Sequence, residues 1–325
     1  MSDLDPDIRK ILERINDPRS RGIAELSVEE ARRAHKKMTQ WTAPSLQTVH
    51  CVEDHECDGP NGPIAVRLYK PAPSNSATGT VVYLHGGGWV LGDFDDFDPL
   101  CRALALSSRC QIASVAYRLA PEHKHPAALQ DCLAVLSWLE RDADKMGINK
   151  TRLALAGDSA GANIAAVIYQ SFWQLPLPNL RALVLIYPPS DLTLSSRSWR
   201  EFGDGYILTH EAMTWFLMHS LPSNINASDP LVSPLFGPRI KGVESALVVT
   251  AGFDPLRDEG KEFAEKLRRD GVDTSYWCYD SMVHGFINFG GKVPRANDAV
   301  TEIGAWIDAR LRASTAPKVA PRQFF

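Results

Sequence analysis

LALAGDSAGAN, residues 153–163, runs from an apolar, strand-like stretch into two glycines that bracket a serine, and on into a helix-like segment, ANIAAVIYQ (162–170). Gly157-Asp158-Ser159-Ala160-Gly161 is a G-x-S-x-G sequence in a strand–turn–helix setting. A serine on so sharp a turn needs glycine on both sides, because side chains at 157 and 161 would collide with neighbouring backbone. The Ser159 hydroxyl is thereby presented at the end of a strand, and the N-terminus of the following helix favours nearby developing negative charge. Glycine–serine turns are common. The strand before and the helix after are what make Ser159 a candidate nucleophile.

Working outward, short apolar runs rich in Val, Ile, Leu and Tyr recur at 64–69, 80–85, 112–117, 152–157, 182–187, 246–251 and 274–279. With the polar-alternating SLQTVHCVED (45–54), the pattern predicts about eight strands. Near-continuous apolarity in the middle runs fits strands covered on both faces, as in a parallel sheet. Helical spacing appears over 125–147, and over 254–271, which opens acidic and ends basic. Strand and helix alternate from 80 to 312, so the expected class is α/β with a mostly parallel sheet and helices on both faces. Two segments stand outside the alternation. Residues 1–44 carry two helical patterns, the second opening with a capping-box spacing from Ser27 to Glu30, and 190–235 contain helical HEAMTWFLMHSL (209–221). They are expected to form a helical cap, leaving 45–189 and 236–325 as the catalytic core. The Pro/Ala-rich tail 313–325 reads as mobile.

A serine hydroxyl is a weak nucleophile at neutral pH, so it needs a base, and the base needs an orienting acid. With the serine on this kind of turn, chain order is Ser, then Asp or Glu, then His, each at a strand's C-terminal end. GFDPLRDEG follows the run at 246–251, and DSMVHGF follows that at 274–279, which nominates Asp254 and His284. Asp258 and Glu259 lie a turn into the following helix and point elsewhere. Asp280, four residues before His284, stays open as the alternative acid.

YLHGGGWVLGDF (83–94) holds three consecutive glycines. Gly87 to Gly92 has phosphate-loop spacing, but Asp93-Phe94 stands where lysine and Ser/Thr are required, so that reading fails. An acyl-transfer site needs donors for the oxyanion of its tetrahedral intermediate, and glycine lets substrate come close to backbone N–H groups. The expected donors are Gly87, Gly88 and Ala160. Trp89, Tyr206, Trp215, Phe216 and Phe286 are candidates for the substrate pocket, although ordinary packing explains each equally well. Asp158, beside the nucleophile, joins them.

Composition narrows the partners. Lys plus Arg is 35 against 39 Asp plus Glu, a net charge of −4, with no basic run, so nucleic acid and anionic membrane surfaces are not expected partners. MSDLDPDIRK lacks an apolar leader stretch, and no run approaches the ~18 apolar residues of a membrane span. The expected location is cytoplasmic. Six scattered cysteines read as reduced packing residues. In HCVEDHEC (50–57), Cys51 and Cys57 would lie ~20 Å apart on a strand, too far for one metal. No metal is expected.

HGGGW (85–89), YRLAPEH (117–123), GDSAG (157–161), DPLRDEG (254–260) and HGF (284–286) together resemble the hormone-sensitive-lipase-like carboxylesterases, a branch of the α/β-hydrolases. The GDSAG form is similar to that of the microbial members. The resemblance implies the α/β-hydrolase fold with a two-part helical cap, and Ser159 as nucleophile, Asp254 as acid and His284 as base. It implies Gly87, Gly88 and Ala160 as oxyanion donors, and His85, Tyr117, Arg118 and Glu122 as supports of the oxyanion loop. A helical lid over a closed pocket points to a small ester substrate with short to medium acyl chains, the triad chemistry needs no cofactor, and the resemblance implies a homodimer through the edge near 274–279. An amidase, lactonase or acyltransferase would use the same triad, and a ligand-binding receptor on this fold is a further alternative.

Overall fold

The computed structural model describes residues 3–73, 79–172, 175 and 180–312; the tail from 313 lies outside the described residues. Eight strands form one sheet: β1 (Cys51–Gly59), β2 (Gly62–Lys70), β3 (Thr80–Leu84), β4 (Gln111–Val115), β5 (Leu153–Asp158), β6 (Leu180–Ile186), β7 (Ser245–Phe253) and β8 (Asp273–Val283). Their order is β1-β2-β4-β3-β5-β6-β7-β8. Pairing is antiparallel from β1 to β4 and parallel from there to β8. The expected class is therefore found.

The first strand starts later than the alternation of 45–54 predicts. Its register grows backward from the hairpin turn, with Gly59 opposite Gly62, and ends where Cys51 meets Lys70, the last residue of β2. Residues 45–49 have no partner strand to extend along.

Side chains alternate between the two faces of the sheet. Val81, Tyr83, Ala154, Ala156, Val184 and Val249 face a core shared with α3 (Phe94–Ser108) and α9 (Pro294–Arg312). Val82, Leu84, Leu155, Leu183 and Val248 face the opposite core, closed by α4 (Ala127–Asp142), α5 (Ala160–Ser171) and α8 (Arg257–Arg269). Helix α8 starts after Asp254 because Asp254 and Pro255 stay in the loop leaving β7.

The N-terminal segment divides between two environments. Helix α1 (Pro6–Ile15) sends Ile8, Ile11 and Leu12 into the same core as α3 and α9, where Tyr206 and Ile207 also pack, and Asn16 at its end donates to the Gly205 carbonyl at 2.8 Å. Its amphipathic face turns its apolar side chains to that core, and the Asp5 N–H is bonded to the Ser281 carbonyl near the end of β8. Helix α2 (Val28–Thr42) opens with the expected capping box between Ser27 and Glu30. Its Ala31 joins a third apolar cluster with Trp199 of α6 (Arg197–Phe202) and Met213, Trp215 and Phe216 of α7 (His210–Ser220). Among the described residues no helix is long and apolar enough to cross a membrane, and no group of three metal-ligating side chains converges.

Candidate active site

Ser159 sits between β5 and α5 with φ 50° and ψ −119°, a conformation disfavoured for a residue with a Cβ. Two crossings force this turn. A Cβ on Gly161 would overlap the Leu84 carbonyl at the end of β3, and one on Gly157 would overlap the Gly161 backbone. The Ser159 N–H is held by the Ile186 carbonyl at 2.9 Å.

Asp254 and His284 leave neighbouring strands whose last paired residues are Phe253 and Val283. A register shift between Ala251 and Phe253 sets that alignment, where Gly252 crosses the Asp280 carbonyl too closely for a side chain. His284 Nε2 lies 2.9 Å from Ser159 Oγ, and His284 Nδ1 lies 2.9 Å from Asp254 Oδ2. The Asp254 carboxylate is fully buried and its other oxygen accepts the Leu256 N–H at 2.9 Å. A carboxylate only accepts, so Nδ1 carries the imidazole proton and Nε2 is free to take the serine's. Asp280 is exposed and turned toward Cys278 on β8, which leaves Asp254 as the acid on the imidazole. Glu259 points elsewhere, as expected: it is buried, accepts the Ser190 and Asp191 N–H groups and the Trp199 indole, and anchors the start of the 190–235 segment. Asp258 pairs with Arg257 and the Ser198 N–H.

Gly87, Gly88 and Trp89 all have positive φ (109°, 59° and 61°), so the loop after β3 coils tightly. The Gly87 carbonyl turns inward to accept the Val90 and Leu91 N–H groups. Among the described residues, no protein acceptor meets the N–H of Gly87, Gly88 or Ala160. They are therefore available to an oxygen bound beside Ser159.

Asp158 supports this loop and does not line a pocket, because it is buried beneath the nucleophile. One of its oxygens accepts the Tyr83 hydroxyl at 2.6 Å and the Gly86 N–H at 2.7 Å. Burial pushes its carboxyl above the usual range, while those two hydrogen bonds pull it back. Tyr117 stacks on His85 and donates to the His85 carbonyl at 2.6 Å, as expected of supports. Glu122 acts indirectly. It holds Arg32 of α2 in a bidentate pair, and Arg32 donates to the Val90 and Ala120 carbonyls at 3.0 Å each; that pairing pulls the Glu122 carboxyl down to about 2. Arg118 lies elsewhere: its guanidinium is committed to Asp131 and the Ala127 carbonyl of α4, so it braces the loop after β4.

The pocket candidates also separate. Trp89 lines a cavity beside α5, and the Phe216 ring rests on Gly88. Trp215 packs within the cap against Phe216 and His219. Tyr206 packs on Phe202 and Phe253. Phe286 is fully buried against Tyr187 and Tyr279, since the left-handed Gly285 turns it under the sheet and not toward Ser159.

Three contributors had no signal in the sequence. Tyr187 (φ 38°) lays its ring 4.6 Å from the His284 ring. Asn163 ties α5 to the Pro189 and Val232 carbonyls. Arg32 reaches the loop from more than fifty residues upstream. Each depends on long-range packing that periodicity cannot report.

A family described as alpha/beta hydrolase fold matches residues 81–288. The chain is 37% identical to the carboxylic ester hydrolase LipN of Mycobacterium tuberculosis, over 93% of this chain and 83% of that one. It is 32% identical to the ethyl acetate hydrolase of Pseudomonas putida, over 92% and 97%. Among solved structures, the hyperthermophilic esterase of Pyrobaculum calidifontis superposes with a TM-score of 0.89 at 36% identity, covering 96% of this chain and 100% of that one. By its motifs, its sheet and these relatives, the chain belongs to the α/β-hydrolase fold family.

Proposed function

We propose that the protein is a serine carboxylesterase that hydrolyses short- to medium-chain acyl esters through an acyl-enzyme. The observation that carries this reading is the unbroken relay from Ser159 Oγ through the His284 ring to the buried Asp254, at 2.9 Å on each side. Similarity to the ester hydrolases above supports it. His284 takes the Ser159 proton as Oγ attacks the ester carbonyl, and Asp254 orients the ring and stabilises its cation. The new oxyanion is held by the N–H groups of Gly87, Gly88 and Ala160, and losing one such donor costs about 3 kcal/mol of barrier in serine hydrolases. His284 then gives its proton to the departing alcohol. Water, deprotonated by the same nitrogen, attacks the acyl-serine and releases the acid. No step requires a metal or organic cofactor.

The cap in this reading is residues 1–44 with 190–235, over a core of 45–189 and 236–325, and it is supported by the separate apolar cluster that joins Ala31 to α6 and α7, by the Asn16 bond to the Gly205 carbonyl and by Phe216 on Gly88. A cytoplasmic location belongs to the same reading and is supported by the six free cysteines. A homodimer would join β8 edges, because β8 ends the sheet. The test is hydrolysis of p-nitrophenyl esters of graded acyl length by the wild type and by Ser159→Ala. Activity abolished in the folded variant supports the assignment. A folded wild type inert on every ester refutes it.

A further inference from the structure

Along β6 the side chains alternate between the two faces of the sheet. Ala182, Val184 and Ile186 enter the core shared with α3 and α9, and Leu183 and Leu185 enter the opposite one. Tyr187 breaks the alternation. It follows Ile186 directly, yet its side chain joins the same core and is fully buried there. The cause is its backbone, with φ 38°, a left-handed conformation that a residue with a Cβ keeps only where its surroundings impose it. The Tyr187 N–H is held by the Val249 carbonyl at 2.6 Å, and the Ile186 carbonyl by the Ser159 N–H at 2.9 Å, so the chain is pinned on both sides of this turn.

The turn delivers an aromatic ring to the base. The ring centroids of Tyr187 and His284 lie 4.6 Å apart, with the planes inclined at 56°. Phe286 meets the tyrosine ring edge-on at 6.1 Å, and the Tyr187 hydroxyl donates a long bond of 3.4 Å to Asp158 Oδ2, so the ring is braced from behind and at its tip.

That brace matters at one moment of the reaction. In the free enzyme the imidazole is located by two hydrogen bonds, from Ser159 Oγ to Nε2 and from Nδ1 to Asp254 Oδ2. Once Oγ is joined to the acyl carbon and its proton sits on Nε2, the bond from the serine is gone. As the tetrahedral intermediate collapses, the bond from carbon to the leaving oxygen breaks and that oxygen takes the Nε2 proton. Nε2 must then face the leaving oxygen while the ring hangs from Asp254 alone. A packing contact that does not depend on the serine keeps it there, and the Tyr187 ring supplies one.

We propose that Tyr187 is a positioning residue for proton delivery, its ring keeping the His284 imidazole aimed at the leaving oxygen after Ser159 has attacked. The inference rests on the ester-hydrolase reading above. An alkyl alcohol leaves only as it is protonated, whereas p-nitrophenolate leaves as the anion, so two esters of the same acid report this step separately while passing through the same acyl-serine. The experiment measures kcat/KM for p-nitrophenyl acetate and for an alkyl acetate, ethyl or benzyl, with the wild type, Tyr187→Leu and Tyr187→Phe. Tyr187→Leu should lower the alkyl value by about a hundredfold and the p-nitrophenyl value by about tenfold, so the aryl-to-alkyl ratio rises about tenfold. Tyr187→Phe keeps the ring and gives up only the long bond to Asp158, and should bring the ratio back to that of the wild type. Tyr187→Met, which fills the space without a flat ring, reads the same ratio if the leucine variant fails to fold. Equal losses on the two esters would make Tyr187 a packing residue and overturn the proposal. A phenylalanine variant with the leucine ratio would also overturn it, transferring the role from the ring to the hydroxyl on Asp158. A wild type inert on both esters defeats the ester-hydrolase reading itself, a distinct result.

Discussion

Asp158 Oδ1 accepts the Gly86 N–H at 2.7 Å, which ties the residue before the nucleophile to the residue before the two oxyanion glycines. The nucleophile turn and the oxyanion loop therefore move as one body. The Tyr83 hydroxyl, from the strand between β4 and β5, closes the same carboxylate from below.

Asp158→Ala should lower kcat by about a hundredfold with a smaller change in KM, since misplaced donors harm the transition state more than substrate binding. Asp158→Asn keeps an acceptor oxygen for Gly86 and should retain most of the rate. Steady-state kinetics on both, with circular dichroism to verify folding, checks this. An alanine variant within about threefold of wild type contradicts the coupling.

The acid is decided by a pair of variants. Asp254→Asn should reduce kcat by about 10⁴-fold, because the wrong tautomer is then presented to Ser159. Asp280→Asn, at an exposed position directed toward Cys278, should stay within about threefold. The opposite pattern would transfer the role to Asp280.

Gly88 has φ 59°, and a Cβ there would run into the Phe216 ring. Gly88→Ala should therefore cost about 10²- to 10³-fold in kcat, as expected for a displaced oxyanion donor. Adding Phe216→Ala should recover part of the loss by removing the obstacle. If the double variant is no better than the single one, the backbone at 88 and not the ring is what alanine offends.

Arg32 donates to two loop carbonyls, at Val90 and Ala120, while the Val90 and Leu91 N–H groups return to Gly87. Arg32→Ala should destabilise the protein by about 1–3 kcal/mol in urea unfolding, almost all of it from the two carbonyl bonds. The half-exposed pair with Glu122 adds little, so Glu122→Gln should cost well under that amount. Arg32→Lys cannot reproduce the fork and should resemble alanine in its loss of stability. Equal costs for Arg32→Ala and Glu122→Gln would mean that the ion pair dominates.

Burial pushes the imidazoles of His35 and His85 down to about 4, against an ordinary value of 6.5. His35 lies 3.9 Å from an Asp96 oxygen, too far for a hydrogen bond, and desolvation prevails over the attraction of the Asp93 carboxylate. Between pH 6.5 and 4 the unfolded chain binds protons that the folded chain refuses, and stability falls as the pH is lowered through that window. His35→Phe should make the dependence of unfolding free energy on pH shallower there by up to ~1.4 kcal/mol per pH unit. An unchanged slope in denaturant melts across the window would show that His35 is protonated in the folded state.

Much of the site is written locally. GDSAG specifies its own strained turn through two glycines with no room for a Cβ, and the positions of DPLRDEG and HGF after apolar runs nominate Asp254 and His284, with Asp280 left open as the acid. Alternation and helical spacing likewise find the strands, because backbone geometry imposes periods of 2 and 3.6 wherever one face is buried. Long-range packing decides the rest. Nothing in the first helical pattern says that Ile8, Ile11 and Leu12 meet the main core while the next helix meets α6 and α7. The aromatic residue after HG at 284–285 reads as pocket-facing until the left-handed turn at Gly285 buries it. Asp158, adjacent to the nucleophile in the chain, points beneath the sheet's end because successive residues leaving a strand alternate in direction.

By itself, then, the sequence determined the sheet, the nucleophile turn, the order of the three relay residues and the glycines that expose the oxyanion donors, since each rests on the conformational limits of a few adjacent residues. The tertiary structure alone decided which carboxylate meets the imidazole, which aromatic ring roofs Gly88, and that Arg32 and Asp158 fix the loop between them. Those are contacts between segments tens to hundreds of residues apart. Strand register and helix packing bring them together, and neither is encoded in any single window of the chain.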